Sequence, residues 1–204
     1  VVFGEEPVLI GERINPTGKS RLKQALREGD VDYVLRAAVE QQERGAHVLD
    51  VNAGLPDIDE AAVLSRLIVE IQGVCDLPLQ IDTAHPAAME RAMRLYNGRP
   101  LVNSVSGKRE SMEAVFPLLK KYGGTAVALT LDEGGIPPTA EGRLAVARRI
   151  LEVAAAWGIP KVDLIFDPLA MTISADPAAA KVTLEALALI RRELGCATVL
   201  GVSN

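Results

Sequence analysis

Seven short apolar runs, each followed by a stretch of helical periodicity or by the end of the chain, constrain this sequence more than any other feature. The runs cover 8–14, 47–52, 79–83, 101–105, 125–131, 163–166 and 198–202, and their lengths and bounding residues predict strands. Helices are predicted over 31–43, 59–74, 86–96, 110–122, 140–157 and 177–194. In the first of these Val31, Val34, Leu35 and Ala38 fall on one face, and Pro86 opens the third where its missing N–H costs nothing. Gly45, Gly98, Gly123, Gly158 and Gly195 stand just past helices, where the chain turns through a left-handed residue. No linker or low-complexity stretch interrupts the pattern, so a single domain over 1–204 is expected. Strict βα alternation implies a parallel sheet, either doubly wound or closed as a barrel.

The polar residues decide between the two. Carboxylates or amides stand at or near nearly every strand's C-terminal end: Glu12 and Asn15, Asp50 and Asn52, Asp82, Asn103, Asp132, Asp167 and Asn204. An open sheet needs such groups at its switch point, whereas a barrel gathers all its strand ends around one mouth. The expected fold is therefore a (β/α)8 TIM-like barrel. With seven strands counted and Asn204 as the last residue, it is expected to be truncated after the seventh strand. The opening on Val1 rather than Met suggests a piece of something longer.

A single acid at a strand end is often a helix cap. A whole set from different strands is better explained by a ligand, because a carboxylate in a concave, partly dry site needs donors. No cluster of lysines or metal ligands is visible to supply them, so the ligand is the expected donor. The amino group and ring N–H of a pterin offer a two-donor edge matched to a carboxylate, and its other nitrogens and carbonyl suit asparagine. A purine-like ring fits the same residue types.

Other chemistries find less support. A net charge of −5 gives no basic face for nucleic acid. Cys75 and Cys196 are far apart in the chain and read as reduced core thiols. No apolar run is long enough for a membrane helix and no signal peptide is visible, so a cytoplasmic location is expected. His47 and His85 lack a third ligand at a useful spacing, so no metal is expected, and two histidines give no Ser–His–acid set. Gly18-Lys19-Ser20 resembles the end of a phosphate-binding loop, but Arg13 occupies the position of the required first glycine. Lys108 and Arg109 follow the fourth strand, either as a solvated loop pair or as an anion contact.

The motifs then resemble a family. The stretch from Gly11 through Glu12, Arg13, Ile14, Asn15 and Pro16 to Gly18 resembles the opening strand of the folate module of cobalamin-dependent methionine synthases. Asp50-Val51-Asn52, Ile81-Asp82-Thr83, Val102-Asn103-Ser104, Phe166-Asp167-Pro168 and Gly201-Val202-Ser203-Asn204 are similar to its later strand signatures, in order. The pattern is also similar to methyltetrahydrofolate:corrinoid/iron–sulfur protein methyltransferase. The more distant dihydropteroate synthase carries Ser-Thr-Arg-Pro after its second strand, where Ala53-Gly54-Leu55-Pro56 stands here.

The resemblance implies that 5-methyltetrahydrofolate is the substrate and that its N5 methyl group passes to a cob(I)amide on another domain or protein. It implies that Asp167 takes the amino and ring N–H edge of the pterin, and that Asn103 faces the opposite ring nitrogens with Asp82 beside it. Asn204 would stand next to N5 as the catalytic amide. Asp50 and Asn52 would floor the pocket or hold a water, and Glu12 and Asn15 would support it. The expected partners are a corrinoid-binding domain or protein and the folate itself, with no nucleic acid or membrane and with a homodimer possible. No corrinoid-binding Asp-x-His-x-x-Gly occurs in the chain. Two readings remain beside this one, a dihydropteroate synthase-like enzyme and a folate-binding module without turnover.

Overall fold

The computed structural model describes residues 1–4, 6–171 and 177–201. Contacts within the chain group it into two compact units, Val1–Asn103 and Ser104–Asn204.

The first unit runs Ile10–Ile14 (β1), Ser20–Glu28 (α1), Val31–Glu43 (α2), Val48–Asn52 (β2), Glu60–Gln72 (α3), Leu79–Asp82 (β3) and Pro86–Leu95 (α4). The strand Leu101–Ser106 (β4) begins in it and crosses the junction. Neighbouring strands pair in chain order and parallel, β1 with β2, β2 with β3 and β3 with β4. The helices start where side chains supply the missing caps: Asp30 accepts from Tyr33 N at 3.1 Å for α2, and Asp59 from Ala62 N at 3.0 Å for α3. The face of α3 bearing Leu64, Leu67, Ile68 and Ile71 is buried, as are Leu49, Val51, Leu79 and Ile81 on the strands. Each such side chain contributes roughly 1.5–3 kcal/mol by leaving water.

The second unit continues with Arg109–Tyr122 (α5), Thr125–Leu129 (β5), Ala140–Ala156 (α6), Leu164–Asp167 (β6), Pro177–Leu189 (α7) and Ala197–Thr198 (β7). A 3₁₀ turn at Lys161–Asp163 leads into β6, and a π-turn at Ile190–Leu194 ends α7. Strands β5, β6 and β7 again pair parallel and in order. Thr139 caps α6 by accepting from Gly142 N at 3.1 Å. All five glycines expected past helices have positive φ, from 61° at Gly195 to 127° at Gly98.

Three elements differ from the sequence reading. Helix α1 was not expected, because it is short, strongly polar on one face and has no capping side chain. Strand β7 pairs at Ala197–Thr198, at the start of the expected 198–202 run. The last turn of the expected 177–194 helix widens into the π-turn.

Candidate functional site

Register places the polar residues of the first unit in two rungs. Asp50 lies opposite Gln80; two residues on, Asn52 lies opposite Asp82, and Asp82 opposite Asn103. Residues two apart in a strand share a face, so both rungs project from the same side of the sheet.

In the outer rung, one carboxylate oxygen gathers two amides. Asp82 Oδ2 accepts from Asn52 Nδ2 at 2.9 Å and from Asn15 Nδ2 at 3.4 Å. Each asparagine is fixed by its other end, Asn52 Oδ1 accepting from Gly54 N at 2.7 Å and Asn15 Oδ1 from Thr17 N at 3.0 Å. These are turns in which a side chain replaces a backbone acceptor, and they hold the amides in place before any ligand arrives. Asp82 Oδ1 and the Asn103 side chain make no hydrogen bond among the described residues. The two groups are therefore open to a ligand. Burial pushes the Asp82 carboxyl above the usual range; the Asn52 bond opposes this, while Glu12 and Glu60 add to it.

The inner rung is drier. Asp50 is 2% and Gln80 5% exposed, and Gln80 Nε2 donates to Asp50 Oδ1. Burial, with Asp82 and Glu12 nearby, raises the Asp50 pKa well above the carboxylate range against the opposing pull of Gln80 and Lys19. Glu12 itself is exposed on β1. Lys19 donates from Nζ to the Glu12 carbonyl at 3.2 Å and the Asn15 carbonyl at 3.1 Å, tying down the end of β1. Lys19 is a single cation near these acids, bonded to carbonyls rather than to a carboxylate. Beside the rungs, the Thr83 hydroxyl donates to Glu60, and His85 Nε2 lies 3.6 Å from Glu60 Oε2.

Asp167, in the second unit, ends β6. Its Oδ1 accepts from Leu169 N at 2.7 Å, closing a corner in which Leu169 takes the left-handed φ of 68°. Burial raises the Asp167 pKa, opposed by backbone N–H donors at Leu169 and Gly201 and by the Arg143 charge. Arg143 braces that corner, its Nη1 donating to the carbonyls of Pro168 (2.9 Å) and Leu169 (3.0 Å) and to Thr183 Oγ1 (3.0 Å). Asn204 lies outside the described residues.

Several residues drop to structural roles. Arg109 is exposed, with its guanidinium on Glu113 at 2.6 Å and its backbone N–H on Glu133 at 2.7 Å, which fits the solvated-loop reading. Asp132 closes a turn by accepting from Gly134 N at 2.9 Å. His47 Nδ1 accepts from Leu9 N at 2.9 Å. Both cysteines are buried free thiols. Among the described residues there is no group of three potential metal ligands, and no helix is long and apolar enough to cross a membrane. Gln80, Glu60 and Arg143 were given no role from the sequence, Lys19 was weighed only as part of a phosphate loop and Thr83 only as part of the third-strand signature; of the first three, Gln80 carried a signal, standing two before Asp82 on the same strand face.

The set of carboxylates and amides at parallel strand ends can be compared with known proteins. A family described as pterin binding enzyme matches residues 11–204. This chain belongs to the pterin binding enzyme family. Methionine synthase of Mycobacterium tuberculosis is 28% identical over 97% of this chain, which covers 17% of that protein. The chain thus spans about a sixth of the methionine synthases' length, as it also does for the Mycobacterium leprae protein, at 28% identity and 18% of its length. Methylcorrinoid:tetrahydrofolate methyltransferase of Eubacterium limosum is 30% identical over 83% of the chain, which covers 63% of it. Among solved structures, dihydropteroate synthase of Xanthomonas albilineans in complex with 7,8-dihydropteroate superposes with a TM-score of 0.75 at 20% identity, covering 98% of this chain and 73% of that one. The dihydropteroate synthase of Vibrio fischeri matches with a TM-score of 0.68 at 17% identity, over 97% and 73% of the two chains. The fold is accordingly the expected TIM-barrel type, represented here by seven strands among the described residues.

Proposed function

We propose that this member of the pterin binding enzymes binds 5-methyltetrahydrofolate at its strand ends and exchanges the N5 methyl group with a corrinoid held by another domain or protein. The observation that carries the reading is the outer rung. One carboxylate, Asp82, has an oxygen fixed by two anchored amides and another uncommitted, next to the uncommitted amide of Asn103. A prearranged acceptor beside a group that both donates and accepts suits the hydrogen-bonding perimeter of a pterin. Asp167 is a half-buried carboxylate of the second unit, proposed for the amino and ring N–H edge. Sequence relatives at 28–30% identity carry methyltransferase and methionine synthase names, which favours methyl transfer.

The corrinoid supplies a cobalt centre that takes up or returns the methyl group. The chain's own residues hold the pterin and manage the charge at N5. A neutral tertiary amine is a poor methyl donor, since its leaving group would be an anion. Transfer therefore requires a proton or a strong hydrogen bond at N5 while the N5–methyl bond breaks and the cobalt–methyl bond forms. Asn204 is proposed to accept from protonated N5 through its side-chain oxygen, a contact stronger in the transition state than with the neutral ground state. The carboxylates orient the ring and favour positive charge on it.

Mixing the chain with methyltetrahydrofolate and free cob(I)alamin, and following methylcobalamin by absorbance, tests this. Methyl transfer dependent on the chain is expected. Folate binding without transfer supports the non-catalytic module, and no folate binding overturns the reading. The solved-structure matches favour one second reading, dihydropteroate synthesis. The Ala53-Gly54-Leu55-Pro56 loop lacks the basic residue expected there, so 7,8-dihydropteroate formation from a pterin diphosphate and p-aminobenzoate is expected to be absent.

A further inference from the structure

Two buried side-chain oxygens of the first unit, Asp50 Oδ2 and Gln80 Oε1, have no hydrogen-bond partner among the described residues. They are the remaining oxygens of two groups already joined, since Gln80 Nε2 donates to Asp50 Oδ1. The two residues lie directly opposite in β2 and β3 and are almost fully buried. Two bare acceptors in a dry place have lost the hydration they enjoyed in the unfolded chain and gained nothing for it. Ionised, Asp50 cannot repair this, because a carboxylate only accepts. A single proton can. Placed on Asp50 Oδ2, it donates to Gln80 Oε1 and closes a ring of two opposed hydrogen bonds between an acid and an amide, which satisfies both oxygens.

We propose that Asp50 is held as a neutral carboxylic acid, ring-bonded to Gln80, and that this couple is a positioning device beneath the ligand-facing Asp82. The charged groups around it agree. Asp82 on β3 and Glu12 on β1 oppose a further negative charge at Asp50, burial opposes it more strongly, and Lys19 beyond β1 favours it without prevailing. A neutral inner rung leaves the negative charge on the outer one, where Asp82 can accept a ligand's donors. An ionised Asp50 would instead place a second charge one rung below and drive Asp82 toward protonation. This last consequence rests on the pterin reading; the ring itself does not.

Infrared difference spectroscopy of the full chain, without ligand, tests the couple. A carbonyl band of a protonated carboxylic acid is expected at neutral pH, absent in Asp50→Asn and moved to higher frequency in Gln80→Leu, where the acceptor is gone. The Asn variant keeps both bonds of the ring, its amide standing in for the acid, so its folding is expected to survive. Should it fail to fold, the Gln80→Leu shift still decides. No such band at neutral pH, a band untouched by Asp50→Asn, or one unmoved by Gln80→Leu overturns the proposal. Folate titration separates the two readings. Affinity is expected to fall by up to about tenfold per pH unit once Asp50 ionises, and this fall is expected to vanish in Asp50→Asn. A correct infrared pattern with no folate binding at any pH leaves the couple standing and removes the pterin.

Discussion

At Asp82 two asparagine amides converge on one oxygen while the other stays open, so the carboxylate is aimed before a ligand arrives. Replacing it with asparagine keeps the volume but removes the charge proposed to accept a ligand donor beside Asn103. Asp82→Asn is expected to weaken methyltetrahydrofolate binding by roughly ten- to a hundredfold, the equivalent of about 1.5–3 kcal/mol for a charge-assisted bond. Calorimetric titration reads this directly, and an unchanged affinity removes Asp82 from the site. At this scale the sequence was legible wherever a residue's type announced a chemical need: acids and amides at strand ends. It was silent where a common residue gained its meaning from a neighbour. Gln80 is an ordinary glutamine until the register sets it against Asp50, and Lys19 resembled part of a phosphate loop while in fact holding two carbonyls of β1.

Among the elements, the corner after β6 depends on a single guanidinium. Arg143 on α6 is 2% exposed and reaches two carbonyls of that corner, the Thr183 hydroxyl on α7 and, through Nε, the Pro137 carbonyl at 3.1 Å. Truncating it leaves several buried acceptors unmet and a left-handed leucine unbraced. Arg143→Ala is expected to destabilise the chain by about 2–4 kcal/mol, measured as a lowered midpoint in urea. Arg143→Lys should recover only part of this, since an ammonium lacks the planar fork; full recovery would mean that charge alone matters. The elements themselves were read well where periodicity ran long: α2 has the expected bounds. Helix α1, nine residues long and without a side-chain cap, offered too little pattern, and the expected 198–202 strand, described only as far as 201, pairs with β6 from Ala197, one residue early, with Val199 N donating to the Phe166 carbonyl at 2.9 Å.

For the whole molecule, three acids shifted upward give folding an unusual dependence on pH. Asp50, Asp82 and Asp167 all bind their protons more tightly folded than unfolded. Their contribution is full below the unfolded carboxylate pKa, about 4, and is lost as pH rises through the folded values. Over that window each fully shifted proton lowers stability by about 1.4 kcal/mol per pH unit. Glu133 acts with the opposite sign: the Arg109 backbone N–H and the Arg149 side chain hold it down from 4.5 to about 2, so what it contributes is full above the ordinary value and is lost progressively as pH falls from there through the folded one. Thermal melts are expected to show greatest stability on the acid side of neutrality and a decline toward alkaline pH, with a shallower decline in Asp50→Asn. A pH dependence of the melting temperature identical in the chain and in Asp50→Asn contradicts the shift at Asp50.

The amide of Asn52 faces two ways, toward Asp82 with its nitrogen and toward the Gly54 N–H with its oxygen. Any pull on the carboxylate is thereby handed to a backbone proton two residues along the chain from Asn52. The Gly54 amide is in effect a gauge wired into the protein. Its proton resonance in a nitrogen-edited NMR spectrum is expected to move when a pterin engages Asp82, and to stay still when the same ligand is added to Asn52→Ala. Occupancy could then be followed without labelling the ligand, and small molecules that reach the acid could be told from those that merely lodge nearby.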